Sequence, residues 1–282
     1  MNQISNTNEL LATAGLLATP GLLATAGLGR DLCVEFFGLP GSGKTTIAQA
    51  VHAILSRGNP ELIFAPRLLR DEAGAAVRAA TKLRLILSEF VRSGTWSDAV
   101  GRTIAIRQPR LRDSLRAVLT IATVGSLNAN LRRRRLGAVL DQGALQALWS
   151  VRLRAPHDEY FDALVAGVLD DAVLSRRLHV AVETPQKVCI ERLETRISKH
   201  SRMQNADTAK DLHVWENAEL LRQAILGDLR AAYQRQSIPD RIFTVDGTAD
   251  PVATARQIAA AVLQMGPAGG LQRSTPVQRL TA

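Results

Sequence analysis

The chain has 282 residues, of which 46% are hydrophobic and 22% are charged, so it can bury a substantial core as one large domain or two ordinary ones. Its formal net charge of +9 favours anionic partners, namely nucleotides, phosphorylated metabolites, nucleic acid or an acidic membrane surface. Two cysteines argue against a disulfide framework and indicate a reducing, cytoplasmic setting, and the five histidines show no metal-ligand spacing.

The N-terminus carries three nearly identical six-residue repeats, in Leu10–Gly15, Leu16–Gly21 and Leu22–Gly27. The uncharged run from Leu10 to Leu28 is about long enough to span a membrane. However, Pro20 and the repeated glycines and threonines weaken a helix, and the preceding residues lack the positive charge of a signal peptide. We therefore interpret residues 1–30 as a low-complexity arm that is flexible or loosely helical, with a membrane-associating segment and a docked helix as open alternatives.

Residues 38–45 read G-x-x-x-x-G-K-T, the phosphate-cradling loop of P-loop NTPases. An apolar strand pattern, Cys33–Phe37, precedes the loop and a helical pattern, Thr46–Leu55, follows it, which is the context that the chemistry requires. Lys44 is expected to reach the β- and γ-phosphates of a nucleotide, and the Thr45 hydroxyl is expected to hold Mg²⁺. The nucleotide-binding candidates are Gly38, Pro40, Gly41, Ser42, Gly43, Lys44, Thr45 and Thr46.

A second strand is predicted at Glu61–Ala65, after which the chain reads as mainly helical from Leu68 to about Arg135, with breaks near Gly94 and Pro109. Arginines run through this region, and we expect most of them on solvated helix faces and one or two in an anion site. These arginines are Arg67, Arg70, Arg78, Arg84, Arg92, Arg102, Arg107, Arg110, Arg112 and Arg116. The run Arg132–Arg135 is interpreted as a solvated helix end, with nucleic-acid contact as the alternative.

A third strand pattern, Leu136–Leu140, ends in Asp141, which is the Walker-B pattern. In a parallel sheet beside the P-loop strand, this carboxylate would hold Mg²⁺ directly or through water. Asp141 is therefore predicted to be a metal-binding and catalytic residue.

A fourth predicted strand, Leu178–Val182, leads into Glu183-Thr184-Pro185, where Thr184 is expected to cap a helix that has proline in its first turn. Arg192 and Arg196 share one face of that helix, and Arg202 follows past its end. Phosphoryl transfer needs such cations because transition-state charge is spread over the phosphoryl oxygens. The three arginines are therefore candidate catalytic residues of a lid, with a solvated basic helix as the alternative.

The remaining elements alternate in the same way. Helices are predicted to begin at Ala144 and at Pro156, and a long amphipathic helical region is predicted at Asp207–Gln236. A fifth strand is predicted at Arg241–Val245, and a last helix from Asp250 to about Met265. Residues 266–282 read as a disordered tail, which leaves residues 31–265 as the folded domain.

The order and spacing of these elements resemble the nucleoside monophosphate kinase group of P-loop kinases, thymidylate kinase most closely. The resemblance lies in the loop Gly38–Thr46, in Val139–Gly143 with Gln146 and Trp149, in Val182–Pro185 with Arg192 and Arg196, and in Phe243–Thr248. It implies a three-layer α/β fold with a five-stranded parallel sheet of order 2-3-1-4-5 and an enlarged helical insertion between strands 2 and 3. It also implies ATP and Mg²⁺ as cofactors, with Asp246, Gly247 and Thr248 beside the adenine.

The acceptor half of the chain diverges from that family. Gln142 stands where thymidylate kinases have an arginine that helps to hold the acceptor nucleotide, and the second strand ends in Phe64-Ala65-Pro66-Arg67 instead of the family's Arg-Glu-Pro-Gly-Gly form. Gln142, Arg67 and Arg70 are therefore candidates for contacting a different acceptor.

The sequence thus favours an ATP-dependent phosphotransferase acting on an anionic small-molecule acceptor, and it is compatible with a homodimer. The rival hypothesis is a nucleotide-dependent switch or scaffold that hydrolyses ATP slowly and acts on a protein or membrane partner. Against a GTPase switch, the sequence lacks an Asn-Lys-x-Asp motif, and against a mechanical ATPase, Gln142 follows Asp141 where a second acidic residue is expected. A third hypothesis, a kinase that acts on nucleic acid, is supported by the arginine content alone.

Overall fold

A parallel β-sheet forms the centre of the fold. The computed structural model describes residues 32–68, 74–93, 97–153, 155, 159–174, 177–195 and 212–265. The strands are β1 (Cys33–Gly38), β2 (Ile63–Phe64), β3 (Ala138–Leu140), β4 (Arg177–Glu183) and β5 (Ile242–Asp246). All pair in parallel in the order β2-β3-β1-β4-β5, which confirms the predicted order. Each predicted strand is present, and β2 is shorter than predicted because only Ile63 and Phe64 pair with β3 and a helix begins at Ala65.

Helices connect the strands and cover both faces of the sheet. They are α1 (Lys44–Leu55), α2 (Ala65–Leu68), α3 (Ala75–Ser93), α4 (Ser97–Ala105), α5 (Leu111–Arg134), α6 (Ala144–Arg152), α7 (Glu159–Leu174), α8 (Gln186–Glu194), α9 (Leu212–Arg235) and α10 (Pro251–Gln264). None of these described helices combines the length and apolarity needed to cross a bilayer. The predicted arm, residues 1–30, and the predicted tail, residues 266–282, lie outside the described residues and stay predictions.

The enlarged helical insertion between β2 and β3 is confirmed, because α2, α3, α4 and α5 all lie there. Helix α3 is joined to α5 by Glu89, which accepts hydrogen bonds from Asn130 at 3.1 Å and from Arg133 at 2.6 Å. The predicted helix end is also confirmed, since α5 stops at Arg134 and all four arginines of the run are exposed. Arg132 and Arg133 nevertheless pair with Asp171 and Glu89.

The sheet separates two apolar layers. Val34 and Phe36 of β1 belong to the cluster formed with α1 and α10, whereas Phe37 belongs to the cluster formed with α5 to α9. Because successive side chains of a strand point to opposite faces, a strand covered by helices on both sides must be apolar at every position. This explains the unbroken apolar character of β1, with one exception.

That exception is Glu35, which is fully buried in the middle of β1. Its carboxylate accepts hydrogen bonds from the Arg177 guanidinium on β4 and from the Leu145 backbone N–H at the start of α6, the latter at 2.8 Å. Burial and the nearby Arg177 cation lower the pKa of the adjacent His179, so its imidazole stays neutral at pH 7. A buried carboxylate is tolerated only when it is paired and hydrogen-bonded, so this ion pair fixes β1, β4 and α6 to one another.

Replacing Arg177 tests the importance of this ion pair. Arg177→Met leaves the Glu35 carboxylate buried without its counter-charge, so we expect the free energy of unfolding to fall by about 3 kcal/mol or more. Arg102→Met is the matched control, because Arg102 pairs with Asp98 on an exposed helix face and its loss should cost about 0.5 kcal/mol or less. Urea unfolding followed by circular dichroism measures both.

The double variant Glu35→Gln/Arg177→Met separates charge from packing. It removes both charges, so it should be more stable than Arg177→Met alone. Equal losses for Arg177→Met and Arg102→Met would contradict this account of the core.

Candidate functional site

The loop after β1 has the geometry of a phosphate cradle. Gly41 and Gly43 have φ values of 83° and 92°, which residues other than glycine rarely adopt. Helix α1 starts directly after them at Lys44. The Lys44 ammonium donates hydrogen bonds to the backbone carbonyls of Gly38 at 2.8 Å and Leu39 at 2.7 Å. The cation is therefore held at the mouth of the loop, at the N-terminus of a helix, where an anion is stabilised.

The predicted metal residues are brought together by the sheet. β1 and β3 are neighbours in the parallel sheet, and Asp141 directly follows Leu140, the last residue of β3. The Thr45 hydroxyl donates a hydrogen bond to the Asp141 carboxylate at 3.2 Å across 96 positions of sequence. A hydroxyl and a carboxylate oxygen side by side are the hard ligands that Mg²⁺ prefers, and the adjacent loop can supply phosphate oxygens as further ligands. The residues present therefore fit a Mg·nucleotide.

Arg192, one of the three predicted lid residues, lies against the phosphate loop. It projects from α8, and its guanidinium donates hydrogen bonds to the carbonyl of Gly247 at 2.9 Å and, at 3.4 Å, to that of Gly41. Arg192 thus connects the phosphate loop to the loop after β5. Arg196 and Arg202, the other two predicted lid residues, lie outside the described residues and stay predictions.

The loop after β5 packs closely on the phosphate loop. A Cβ atom on Gly247 would lie 2.2 Å from the Ser42 carbonyl and 2.1 Å from the Thr184 hydroxyl, so only glycine allows this approach. Asp246 accepts hydrogen bonds from the Thr248 hydroxyl and backbone N–H, both at 2.7 Å, and these bonds hold the pKa of Asp246 below its ordinary value. Asp246, Gly247 and Thr248 therefore form a fixed turn beside the phosphate loop.

The predicted capping role of Thr184 is wrong. Pro185 is the N-cap residue of α8, and that residue makes no side-chain capping hydrogen bond. The Thr184 hydroxyl instead donates a hydrogen bond to the Ser42 carbonyl at 3.0 Å. Because β4 lies beside β1, the turn after β4 faces the phosphate loop, and the hydroxyl is used to hold that loop.

A cavity of about 560 Å³ opens from the phosphate loop toward the inserted helices. Its volume is in the range of small-molecule sites. Pro40, Gly41 and Gly43–Thr46 form one end with Asp141 and Gln142, and Ala65 and Pro66 after β2 form part of the wall. The rest of the lining comes from α3, α5 and α6, and its polar residues are Lys82, Arg116, Thr120, Thr123, Gln146 and Ser150.

The cavity lining also contains polar residues that were not among the predicted site residues. Lys82 was not predicted at all, and Arg116 was one of ten arginines of which one or two were expected at an anion site. Gln146 places its amide oxygen in a buried position, where no hydrogen-bond donor reaches it from the described part of the chain. The period of the helices could have placed Lys82 and Arg116 on helix faces, but not on the same cavity.

The predicted acceptor residues are only partly located. Gln142 lines the cavity, and its contact with an acceptor stays a prediction. Arg67 lies in α2, but its side chain is outside the described structure, and Arg70 is outside the described residues altogether. Both stay predictions.

The two cysteines are buried and reduced, as predicted. Burial raises the pKa of the Cys33 and Cys189 thiols to about 11. At pH 8 only about one thiol in a thousand would be ionised, and only the thiolate reacts.

We therefore expect a colorimetric disulfide reagent to label neither thiol of the native protein within minutes, and to label both at once in urea. Rapid labelling of one thiol without urea would contradict the structure.

Comparisons with known proteins give distant likenesses only. No protein-family model matches the chain, and no curated protein matches it. Among solved structures, the chain is similar to deoxyadenosine kinase from M. mycoides with bound dCTP, with a TM-score of 0.42 and 12% identity over 81% of this chain and 97% of that one. The same kinase with the products dCMP and a flexible dCDP gives a TM-score of 0.39 and 13% identity over the same shares. Likenesses this distant carry no argument about activity.

Proposed function

We propose that this protein is an ATP-dependent phosphotransferase that binds Mg·ATP on the loop Gly38–Thr46 and transfers the terminal phosphoryl group to an anionic acceptor. The observation that carries the proposal is the hydrogen bond between Thr45 and Asp141 at one end of the 560 Å³ cavity. The Thr45 hydroxyl and the Asp141 carboxylate are both oxygen ligands suited to Mg²⁺, and they lie where the phosphate loop meets a cavity large enough for a ligand. This arrangement fits a reaction between two bound substrates. A switch that only binds and hydrolyses a nucleotide needs no such cavity.

The phosphoryl donor, ATP, would be bound by the phosphate loop and by the residues beside it. Mg²⁺, when bound with ATP, would neutralise charge on the phosphate oxygens. Lys44 would exchange its hydrogen bonds to the Gly38 and Leu39 carbonyls for bonds to the β- and γ-phosphates. Arg192, fixed between Gly41 and Gly247, adds a second positive charge beside the phosphates. The turn Asp246–Thr248 would lie beside the adenine.

The acceptor side follows from the cavity wall. Lys82 and Arg116 supply positive charge there, which favours an acceptor that carries an anionic group. The Gln146 amide oxygen lacks a donor in the described chain, and a buried unsatisfied acceptor is costly, so an N–H or O–H group of the ligand would complete it. An acceptor oxygen would attack the γ-phosphorus as the bond to the bridging oxygen of ADP breaks, and a proton leaves if that oxygen belongs to a hydroxyl.

The proposal is tested by incubating the full chain with Mg·ATP and a panel of nucleosides, nucleotides, sugars and lipid-like acceptors. ADP release above the acceptor-free rate, with a phosphorylated product, supports phosphoryl transfer. ADP release that no acceptor increases would contradict the proposal and favour the switch.

Lys44→Ala tests the donor site. Loss of the cation that contacts the transferred phosphate should reduce phosphoryl transfer by about a thousandfold or more, while thermal unfolding stays close to that of the unsubstituted protein. Lys187→Ala is the control, because Lys187 is exposed on α8 and outside the site. Unchanged turnover in Lys44→Ala would contradict the assignment.

Arg116→Met tests the acceptor site. We expect KM for the anionic acceptor to rise about tenfold or more, and KM for ATP to stay the same, because Arg116 lines the cavity from α5 and no described contact joins it to the phosphate loop. Arg112→Met, one turn away on the same helix and not in the cavity wall, is the matched control. Steady-state kinetics with both substrates varied in lipid-free buffer measures the difference. Equal effects of the two substitutions would show that the acceptor lies elsewhere.

A further inference from the structure

The outer surface near the cavity exposes large aliphatic side chains. Ile104 at the end of α4 is 65% exposed, and Leu111, Leu115 and Leu119 on α5 are 78%, 56% and 53% exposed. The three leucines recur every four residues, so they form one stripe along the helix. Contiguous apolar surface of this kind marks an interaction site.

Arginines border this stripe. Arg107, Arg110, Arg112 and Arg116 are exposed, and Arg112 and Arg116 each follow a leucine of the stripe directly. The only acidic residue from position 104 to position 119 is Asp113, which is buried. None of the four arginines forms an ion pair with a residue of the described chain. We name this surface, with its four aliphatic residues and four arginines, the Leu/Arg face.

Helix α3, which is joined to α5, repeats the pattern. Leu83 and Leu87 are 52% and 53% exposed, and Arg84 is exposed next to Leu83. The only acidic residue of α3 is Glu89, which is buried against α5. Both helices therefore present leucine and arginine outward and turn their single carboxylate inward.

We propose that the Leu/Arg face docks on an anionic lipid surface. A helix that lies in a membrane interface buries its aliphatic side chains at the boundary of the acyl chains and places its cations among the lipid phosphates. Leucines alternate on α5 with arginines that have no ion-pair partner in the described chain, and this pattern matches both requirements. The net charge of +9 acts in the same direction over a longer range.

Other occupants fit the charge of this face less well. A second copy of the chain on a two-fold axis would bring the same arginines together, and the face has no exposed acidic residue to pair with them. The predicted arm from Leu10 to Leu28 is uncharged, so it would cover the leucines and leave the arginines unneutralised. A nucleic acid would pair with the arginines and leave the leucines in water.

The position of the face links it to the site. Arg116 and Leu119 belong to the face and also line the cavity, so a bound bilayer would lie at the cavity mouth. If the proposed phosphoryl transfer is correct, an acceptor carried by the membrane would enter the cavity from there. The docking itself does not depend on that reaction.

The test is co-sedimentation of the full chain with sucrose-loaded vesicles of phosphatidylcholine, with or without phosphatidylglycerol. We expect binding that requires the anionic lipid and weakens with salt. Leu111→Gln/Leu115→Gln and Arg110→Gln/Arg112→Gln should each reduce the partition coefficient about tenfold. Leu220→Gln/Arg230→Gln is the matched control on α9, where both side chains are exposed, and should bind unchanged. Circular dichroism verifies that each variant is folded.

Three results would overturn the docking proposal. The first is absence of binding to anionic vesicles. The second is binding that the face substitutions leave unchanged and that Leu16→Gln/Leu22→Gln in the arm abolishes. The third is a dimer in solution that the face substitutions dissociate. Lys44→Ala should bind vesicles like the unsubstituted chain, so failure of lipid binding and failure of phosphoryl transfer are distinguishable.

Discussion

The hydrogen bond between the Thr45 hydroxyl and the Asp141 carboxylate is the contact on which the candidate site depends. It exists because β1 and β3 are neighbours in a parallel sheet, so that the loops after both strands meet at one edge. Glu35 stabilises the same neighbourhood of strands, because its buried carboxylate accepts hydrogen bonds from Arg177 on β4 and from Leu145 in the first turn of α6, just after Asp141. The buried ion pair and the candidate site are therefore held by the same strands and by the helix α6.

What could be predicted from the sequence was local. The phosphate loop, Asp141 and the turn at Asp246 lie at the ends of β1, β3 and β5, and the helix that carries Arg192 begins just after β4. The carboxyl ends of parallel strands meet at one edge of a sheet whatever the helices do. Lys82, Arg116 and Gln146 face one cavity only because α3, α5 and α6 pack in a particular way, which helical periodicity does not determine. Glu35 was hidden for the same reason, since its partner Arg177 is 142 positions away. Thr184 matched a capping pattern, but the neighbouring phosphate loop supplied a different hydrogen-bond partner.

The arginine content of the chain is used in several distinct ways. Arg177 neutralises a buried carboxylate, Arg132 and Arg133 join helices, and Arg192 connects the loop after β1 to the loop after β5. The arginines of the Leu/Arg face form no such pairs in the described chain. A net charge of +9 could not distinguish these uses, because they differ in burial and in partner. The free-energy consequences differ accordingly, since a buried charge requires its partner and an exposed charge does not.

A crystal structure of the full chain with Mg²⁺ and a non-hydrolysable ATP analogue tests the central claim most directly. The account predicts a metal ion bound to the Thr45 hydroxyl, with Asp141 as a ligand directly or through water. It also predicts that the Lys44 ammonium lies on the phosphates and that the adenine lies beside Asp246–Thr248. A nucleotide bound elsewhere, or one that leaves Lys44 on the Gly38 and Leu39 carbonyls, would contradict it.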